Sequence, residues 1–178
     1  MKTIFSTLAI AVFASFLFMG GCVKKLTSVN IEYTTDGKIT TDSLKTMGYQ
    51  TIDTMILSSD LDAEMKNNSS ALSDIDEIKL KSATVSFTAP LPTDNFDKVD
   101  KVELWLTTPS LPSVKLAFKN PVAKGINTCF LDVDNTSDLA AYLKSPSFTF
   151  EVKGSNNAPL GPMDLTVEAK WTVKASKK

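Results

Sequence analysis

The stretch that decides the fold is MDLTVEAKWTVK, residues 163–174, near the end of the chain. Apolar side chains occupy every second position in it: Met163, Leu165, Val167, Ala169, Trp171 and Val173. Strict alternation of apolar and polar residues is typical of a β-strand that buries one face. We therefore expect a long strand here, with Trp171 in the core.

The same alternation predicts shorter strands elsewhere, at residues 29–33, 49–57, 102–106, 114–118, 129–133 and 148–152. A further stretch, EIKLKSATVSF at residues 77–87, changes face: its apolar residues are even-numbered at first and odd-numbered later. Since a slip of one residue turns every side chain to the opposite face, we expect a β-bulge near Lys81 and Ser82.

Two segments, residues 60–72 and 137–144, predict short helices. Turn signals rich in glycine, proline and asparagine separate the strands, and one of them is TDGK at residues 35–38. Short strands joined by such turns favour a mainly β fold, an antiparallel β-sandwich of immunoglobulin-like architecture with one or two short helices. The Cys…Trp…Cys pattern of true immunoglobulin domains is absent, so the strand topology stays open.

The chain begins with the basic start MKT, continues with an almost wholly apolar run at residues 4–18, and then reads MGGC at residues 19–22. This order of regions is that of a secretory signal. MGGC resembles the lipobox of bacterial lipoproteins. The resemblance implies cleavage before Cys22 and lipid on its sulfur. The alternatives are an ordinary secretory signal and an uncleaved membrane helix.

The resemblance to lipoproteins also sets the expected organisation and location of the chain. We expect a signal peptide at 1–21, a lipidated tether at 22–26 and a single β-sandwich domain at 27–178. By similarity to the sorting rule of enteric bacteria, Val23 after the cysteine implies the outer membrane. Lys24 and Lys25 stand where some surface-exposed lipoproteins carry acidic residues, which favours the periplasmic face.

Composition excludes several function classes. All 19 basic residues are lysines, and the chain has neither arginine nor histidine. Histidine is the usual general base and metal ligand near neutral pH, and arginine the usual reader of phosphate and guanine. We therefore expect no nucleic-acid partner and no cofactor.

The carboxylates offer two chemical hypotheses. Asp132 and Asp134 share one face of a predicted strand end, and with Asn135 they are candidate ligands for calcium, which prefers oxygen. Paired acids are also the machinery of glycosidases, so a carboxylate-based envelope hydrolase is the alternative function.

Two aromatic residues, Trp105 and Phe130, fall on the outward face of their predicted strands and are candidates for a binding surface. The alternative is that a helix or loop covers them, with Tyr142 and Leu143 as candidates. Cys129, on the opposite face to Phe130, is expected to point inward as an inert buried thiol.

Together these features predict a membrane-anchored envelope lipoprotein that binds or scaffolds and has no catalysis of its own. The expected partners are the membrane, through the lipid anchor, and an envelope protein or a glycan.

Overall fold

The computed structural model of the protein describes residues 28–89, 95–134 and 136–176. The predicted signal peptide at 1–21, Cys22 and the rest of the tether at 22–26 lie outside these residues, as does Asn135. The expectations placed on them therefore stay predictions.

In these described residues, eight strands form one sheet in the order β1-β8-β3-β6-β5-β4-β7-β2, and every neighbouring pair is antiparallel. The strands are β1 (Ser28–Thr41), β2 (Gly48–Ser58), β3 (Ile75–Ala89), β4 (Val99–Thr108), β5 (Leu111–Lys119), β6 (Thr128–Val133), β7 (Ser147–Asn156) and β8 (Met163–Ser176). The prediction of a mainly β, antiparallel fold is confirmed.

The predicted division into two separate sheets is not confirmed, because the strands form a single curled sheet. Its two halves are joined where β5 pairs with β6, and that pairing comprises only Ala117 with Val133 and Phe118 with Asp132. Alternation in a sequence shows which face of a strand is buried. It does not show whether two strands are hydrogen-bonded or lie across the core from each other.

The two edge strands, β1 and β2, approach each other through side chains. Thr41 Oγ1 donates to Asp53 Oδ2 at 2.8 Å, and the Tyr33 hydroxyl donates to Asp60, two residues beyond the end of β2. A Cβ atom at Gly37 would overlap the sulfur of Met55. The turn expected at residues 35–38 is therefore wrong: Gly37 lies inside β1, where the missing side chain makes room for a neighbouring strand.

Strand β8 carries the centre of the core. It lies between β1 and β3, and its residue Trp171 has no exposed surface. The indole Nε1 donates to Thr35 Oγ1 at 2.9 Å, and the ring stacks on Phe150 of β7 at 6.4 Å between centroids. Since β7 belongs to the other half of the sheet, this contact spans the core. The prediction that Trp171 is a core residue is confirmed.

Two further predictions from alternation are confirmed. In β3 the register against β8 shifts between Leu80 and Ser82, so the bulge falls at Lys81 as expected. In β6, Cys129 points inward and is 1 % exposed, and burial raises the pKa of its thiol to about 11.

The helices are shorter than predicted. Helix α1 spans Leu61–Asn67 and helix α2 spans Ala140–Leu143, with 3-10 turns at Leu72–Asp74 and Phe96–Lys98. Helix α1 ends early because Ser69, just beyond its last turn, has a left-handed backbone with φ of 54°. Within the part of the chain that the structure describes, no helix has the length and apolar character needed to cross a membrane.

Candidate functional site

A buried carboxylate lies on the outer face of the sheet. Glu103 of β4 stands between Val102 and Leu104, which both point into the core with no exposed surface. Its own side chain must therefore point outward, yet Glu103 is only 4 % exposed. Glutamate is almost never this buried unless it is paired, so its partners define the site.

Three donors surround the Glu103 carboxylate. The Tyr49 hydroxyl donates to Oε2 at 2.6 Å, and Trp105 Nε1 donates to the same oxygen at 2.9 Å. The Lys101 ammonium lies 2.7 Å from Oε1. Burial alone would raise the pKa of Glu103, but the hydrogen bonds from Lys101, Tyr49 and Trp105 outweigh it and lower the pKa to about 2. The group is thus a permanent anion at neutral pH.

The two rings are held by the same carboxylate. The polar ends of Tyr49 and Trp105 both turn towards Glu103 and donate to the same oxygen, Oε2. Burial of the phenol and its hydrogen bond to Glu103 raise the pKa of Tyr49 to about 12, so this hydroxyl keeps the proton that it donates. The result is a pair of aromatic rings in fixed positions on a rigid sheet.

Lysines complete the arrangement. The Lys153 ammonium of β7 lies 4.5 Å from the centre of the Trp105 ring, and the Lys101 ammonium lies 5.1 Å from the centre of the Tyr49 ring. These distances are within the range of cation–π attraction. We call Tyr49, Lys101, Glu103, Trp105 and Lys153 the Glu103 cluster.

The order of strands explains why these residues meet. Strand β7 pairs with β2 on one side and with β4 on the other. Lys153 of β7 lies opposite Thr51 of β2 and opposite Glu103 of β4. Tyr49 is two residues before Thr51, so it points out of the same face of the sheet and can reach across β7.

Both aromatic residues predicted for a binding surface point outward, but they do not form one site. Phe130 is 71 % exposed, whereas Trp105 is partly buried within the cluster. Glu103, Phe118 and Asp132 face one another across β4, β5 and β6, and Trp105 and Phe130 lie on opposite sides of this row. Strand spacing and rise put Trp105 and Phe130 roughly 16 Å apart.

Tyr142 and Leu143, the candidates for covering Trp105 and Phe130, make other contacts. Leu143 is fully buried in the core, and the Tyr142 hydroxyl donates to the carbonyl of Pro112 at 2.9 Å. Instead, lysine side chains lie over the ring of Trp105 and the ring of Tyr49.

The two candidate calcium ligands that the structure describes, Asp132 and Asp134, each have a lysine partner. Asp132 lies 3.2 Å from Lys119, and Asp134 lies 2.6 Å from Lys115. Among residues 28–89, 95–134 and 136–176, no three histidine, cysteine or acidic side chains converge as a metal ion would require. Because Asn135 lies outside this part of the chain, the calcium hypothesis stays a prediction.

Sequence reasoning found only Trp105 and missed the other four residues of the cluster: Tyr49, Lys101, Glu103 and Lys153. A signal for Glu103 was present, since it stands two positions before Trp105 and so shares its face of a strand. No local signal existed for Tyr49, because its position depends on the pairing of β2 with β7 and of β7 with β4.

No protein-family model matches the chain, and no curated protein is significantly similar to it.

Proposed function

We propose that this chain is a lipid-anchored protein of the bacterial cell envelope that binds a partner through the Glu103 cluster and has no catalysis of its own. The observation that carries the proposal is the pair of rings fixed by one buried carboxylate on an outward face of the sheet. Rings held in place lose little freedom on binding, which makes such a surface suited to recognition. Tyr49 is 55 % exposed, whereas Trp105 is partly buried, so the Tyr49 ring is the more accessible of the two.

The curled sheet serves this role as a sandwich-like scaffold. We propose that the half formed by β1, β8, β3 and β6 packs face to face on the half formed by β5, β4, β7 and β2, as in immunoglobulin-like architecture. The stacking of Trp171 on Phe150 across the core supports this description. The cluster then stands on the outer face of the second half.

The proposed anchor lies close to the folded part. Strand β1 begins at Ser28, six residues after Cys22, and six extended residues span roughly 20 Å. A lipid on Cys22 would therefore hold the sheet next to the membrane, and the proposed location is the outer membrane on its periplasmic side. The motif MGGC at residues 19–22 supports this part of the proposal.

The anchor is tested by lipidation of the intact chain in its own cells. Cys22→Ser is expected to abolish palmitate labelling, and the wild-type chain is expected to begin at Cys22 by intact mass. Since two or three acyl chains hold a protein far more firmly than exposed lysines do, high salt should not release the wild type. An unlabelled wild-type chain with a different mature start would contradict the anchor.

The binding role is tested by capture of partners from cell-envelope extracts. Trp105→Ala is expected to reduce capture at least about tenfold, as removal of a central aromatic residue usually does. Phe130→Ala is the matched control, because it removes an exposed aromatic from the same face outside the cluster. Equal capture by wild type and Trp105→Ala would refute the cluster as the binding surface.

The directions of the pKa shifts favour binding over the hydrolase alternative. A glycosidase needs one carboxyl with a raised pKa to protonate the leaving group. The described carboxylates with a shifted pKa are Glu32, Glu103 and Asp164, and all three pKa values are lowered. Hydrogen bonds from lysines contribute to the lowering in each case, so these groups act as structural anions.

A further inference from the structure

Charge on the outer face around the rings is paired internally. Lys101 lies 2.7 Å from Glu103, and Lys153 lies 3.1 Å from Glu151. Lys115, the cross-strand neighbour of Trp105, is paired with Asp134. Three positive and three negative groups therefore cancel beside the rings.

This pairing discriminates between classes of ligand. An anionic ligand must compete with a carboxylate for its lysine partner. A cationic ligand must compete with a lysine for its carboxylate partner. A neutral ligand with many hydroxyl groups carries no charge that would compete for either member of a pair. Each ammonium has three N–H donors and each carboxylate has several lone pairs, so paired groups retain capacity for hydroxyl groups.

The rings add an apolar requirement. Because the phenol and the indole nitrogen turn inward to Glu103, the parts of the rings that face solvent are carbon. A ligand that fits must therefore combine an apolar face with a rim of hydroxyl groups. A pyranose ring has both, since its axial C–H groups form one face and its hydroxyl groups form the edge.

We infer that the Glu103 cluster binds a neutral oligosaccharide, with sugar rings against Tyr49 and Trp105 and hydroxyl groups hydrogen-bonded to the flanking carboxylates and to the lysines that do not lie over Trp105. This inference rests on the proposed function, because it names the ligand of the same surface. Since Tyr49 and Trp105 reach the same oxygen of Glu103, a segment of two sugar rings can contact both.

Lys153 has a particular place in this scheme. Its ammonium occupies the space above the Trp105 ring, and its side chain is 22 % exposed. A sugar that stacks on Trp105 must move this ammonium aside. Because Lys153→Ala clears the face of the Trp105 ring, it should improve the affinity for a neutral oligosaccharide by up to about threefold, whereas an anionic ligand would bind less well.

The test uses tryptophan fluorescence of the full chain, purified in a detergent without a sugar headgroup. The chain has two tryptophans, and Trp171 is fully buried, so a ligand at the surface changes the emission of Trp105 alone. The probes are neutral gluco-, manno-, galacto- and xylo-oligosaccharides, with oligogalacturonate as the acidic comparison, each up to about 10 mM.

The expected result is saturable quenching by at least one neutral probe, with affinity at least about tenfold weaker in Tyr49→Ala and unchanged in Phe130→Ala. If only oligogalacturonate saturates, and it binds less well to Lys153→Ala, the inference of a neutral ligand is overturned. The proposed function, binding through the Glu103 cluster, would still stand. The inference is also overturned if no neutral probe changes the emission while Trp105→Ala still loses its captured partner. If no neutral probe changes the emission and Trp105→Ala also captures its partner as well as the wild type does, the proposed function fails as well.

Discussion

Replacing Trp171 with alanine is expected to lower the free energy of unfolding by about 3–5 kcal/mol. The side chain has no exposed surface and lies on β8, which is paired on both sides. Its removal leaves a cavity against Phe150, since the indole ring stacks there at an interplanar angle of 17°. It also takes away the donor that reaches Thr35, a residue only 6 % exposed.

The measurement is urea unfolding of a soluble chain that begins at Val23, with the midpoint and the slope determined for each variant. Trp171→Phe is expected to lose less than the alanine variant, because a phenyl ring still fills most of the site. The surface control is Phe130→Ala, expected to change stability by no more than about 0.5 kcal/mol. A loss in Trp171→Ala as small as that of Phe130→Ala would mean that the ring does not join the two halves of the sheet.

The sequence predicted those features of the fold that depend on one strand alone. Alternation identified the buried face of β8, the inward direction of Cys129 and the bulge at Lys81, because each follows from a period of two along a single segment. It also placed Trp105 on the outer face. These are statements about direction, and direction is a local property of extended backbone.

Features that depend on which strands are neighbours were not predictable in this way. The join between β5 and β6 rests on two residue pairs, and nothing local distinguishes it from a gap between two sheets. Gly37 resembles a turn residue in the sequence, and only the approach of Met55 from β2 explains it. Tyr49 and Glu103 meet across β7 although 54 positions separate them in the chain.

Replacing Glu103 with glutamine is expected to be the second most costly change and to alter how stability depends on pH. The carboxylate is 4 % exposed and holds Tyr49, Lys101 and Trp105. Its pKa is about 2 in the folded chain and about 4.3 when unfolded, so the folded state favours the charged form. The difference corresponds to about 3 kcal/mol of stability above the unfolded pKa.

The lowered pKa of Glu103 determines the pH range in which this stabilisation is lost. Since the folded pKa is the lower one, the stabilisation is fully present above the unfolded pKa and is lost as the pH falls towards about 2. Glu103→Gln lacks this titration. The wild type is therefore expected to be more stable than the variant by about 2–3 kcal/mol at neutral pH, and the difference should shrink steadily through this acid range.

The experiment compares urea unfolding of wild type and variant at several pH values, so that titrations common to both cancel in the difference. Glu168→Gln is the matched control: its carboxylate lies 3.3 Å from Lys170 but is 42 % exposed, and an exposed pair contributes at most about 1 kcal/mol. A constant difference between wild type and Glu103→Gln across the acid range would mean that Glu103 does not hold the rings as an anion. The fixed positions of Tyr49 and Trp105 would then need another cause, because the strong hold on both donors and Lys101 comes from the charge of the ionised carboxylate.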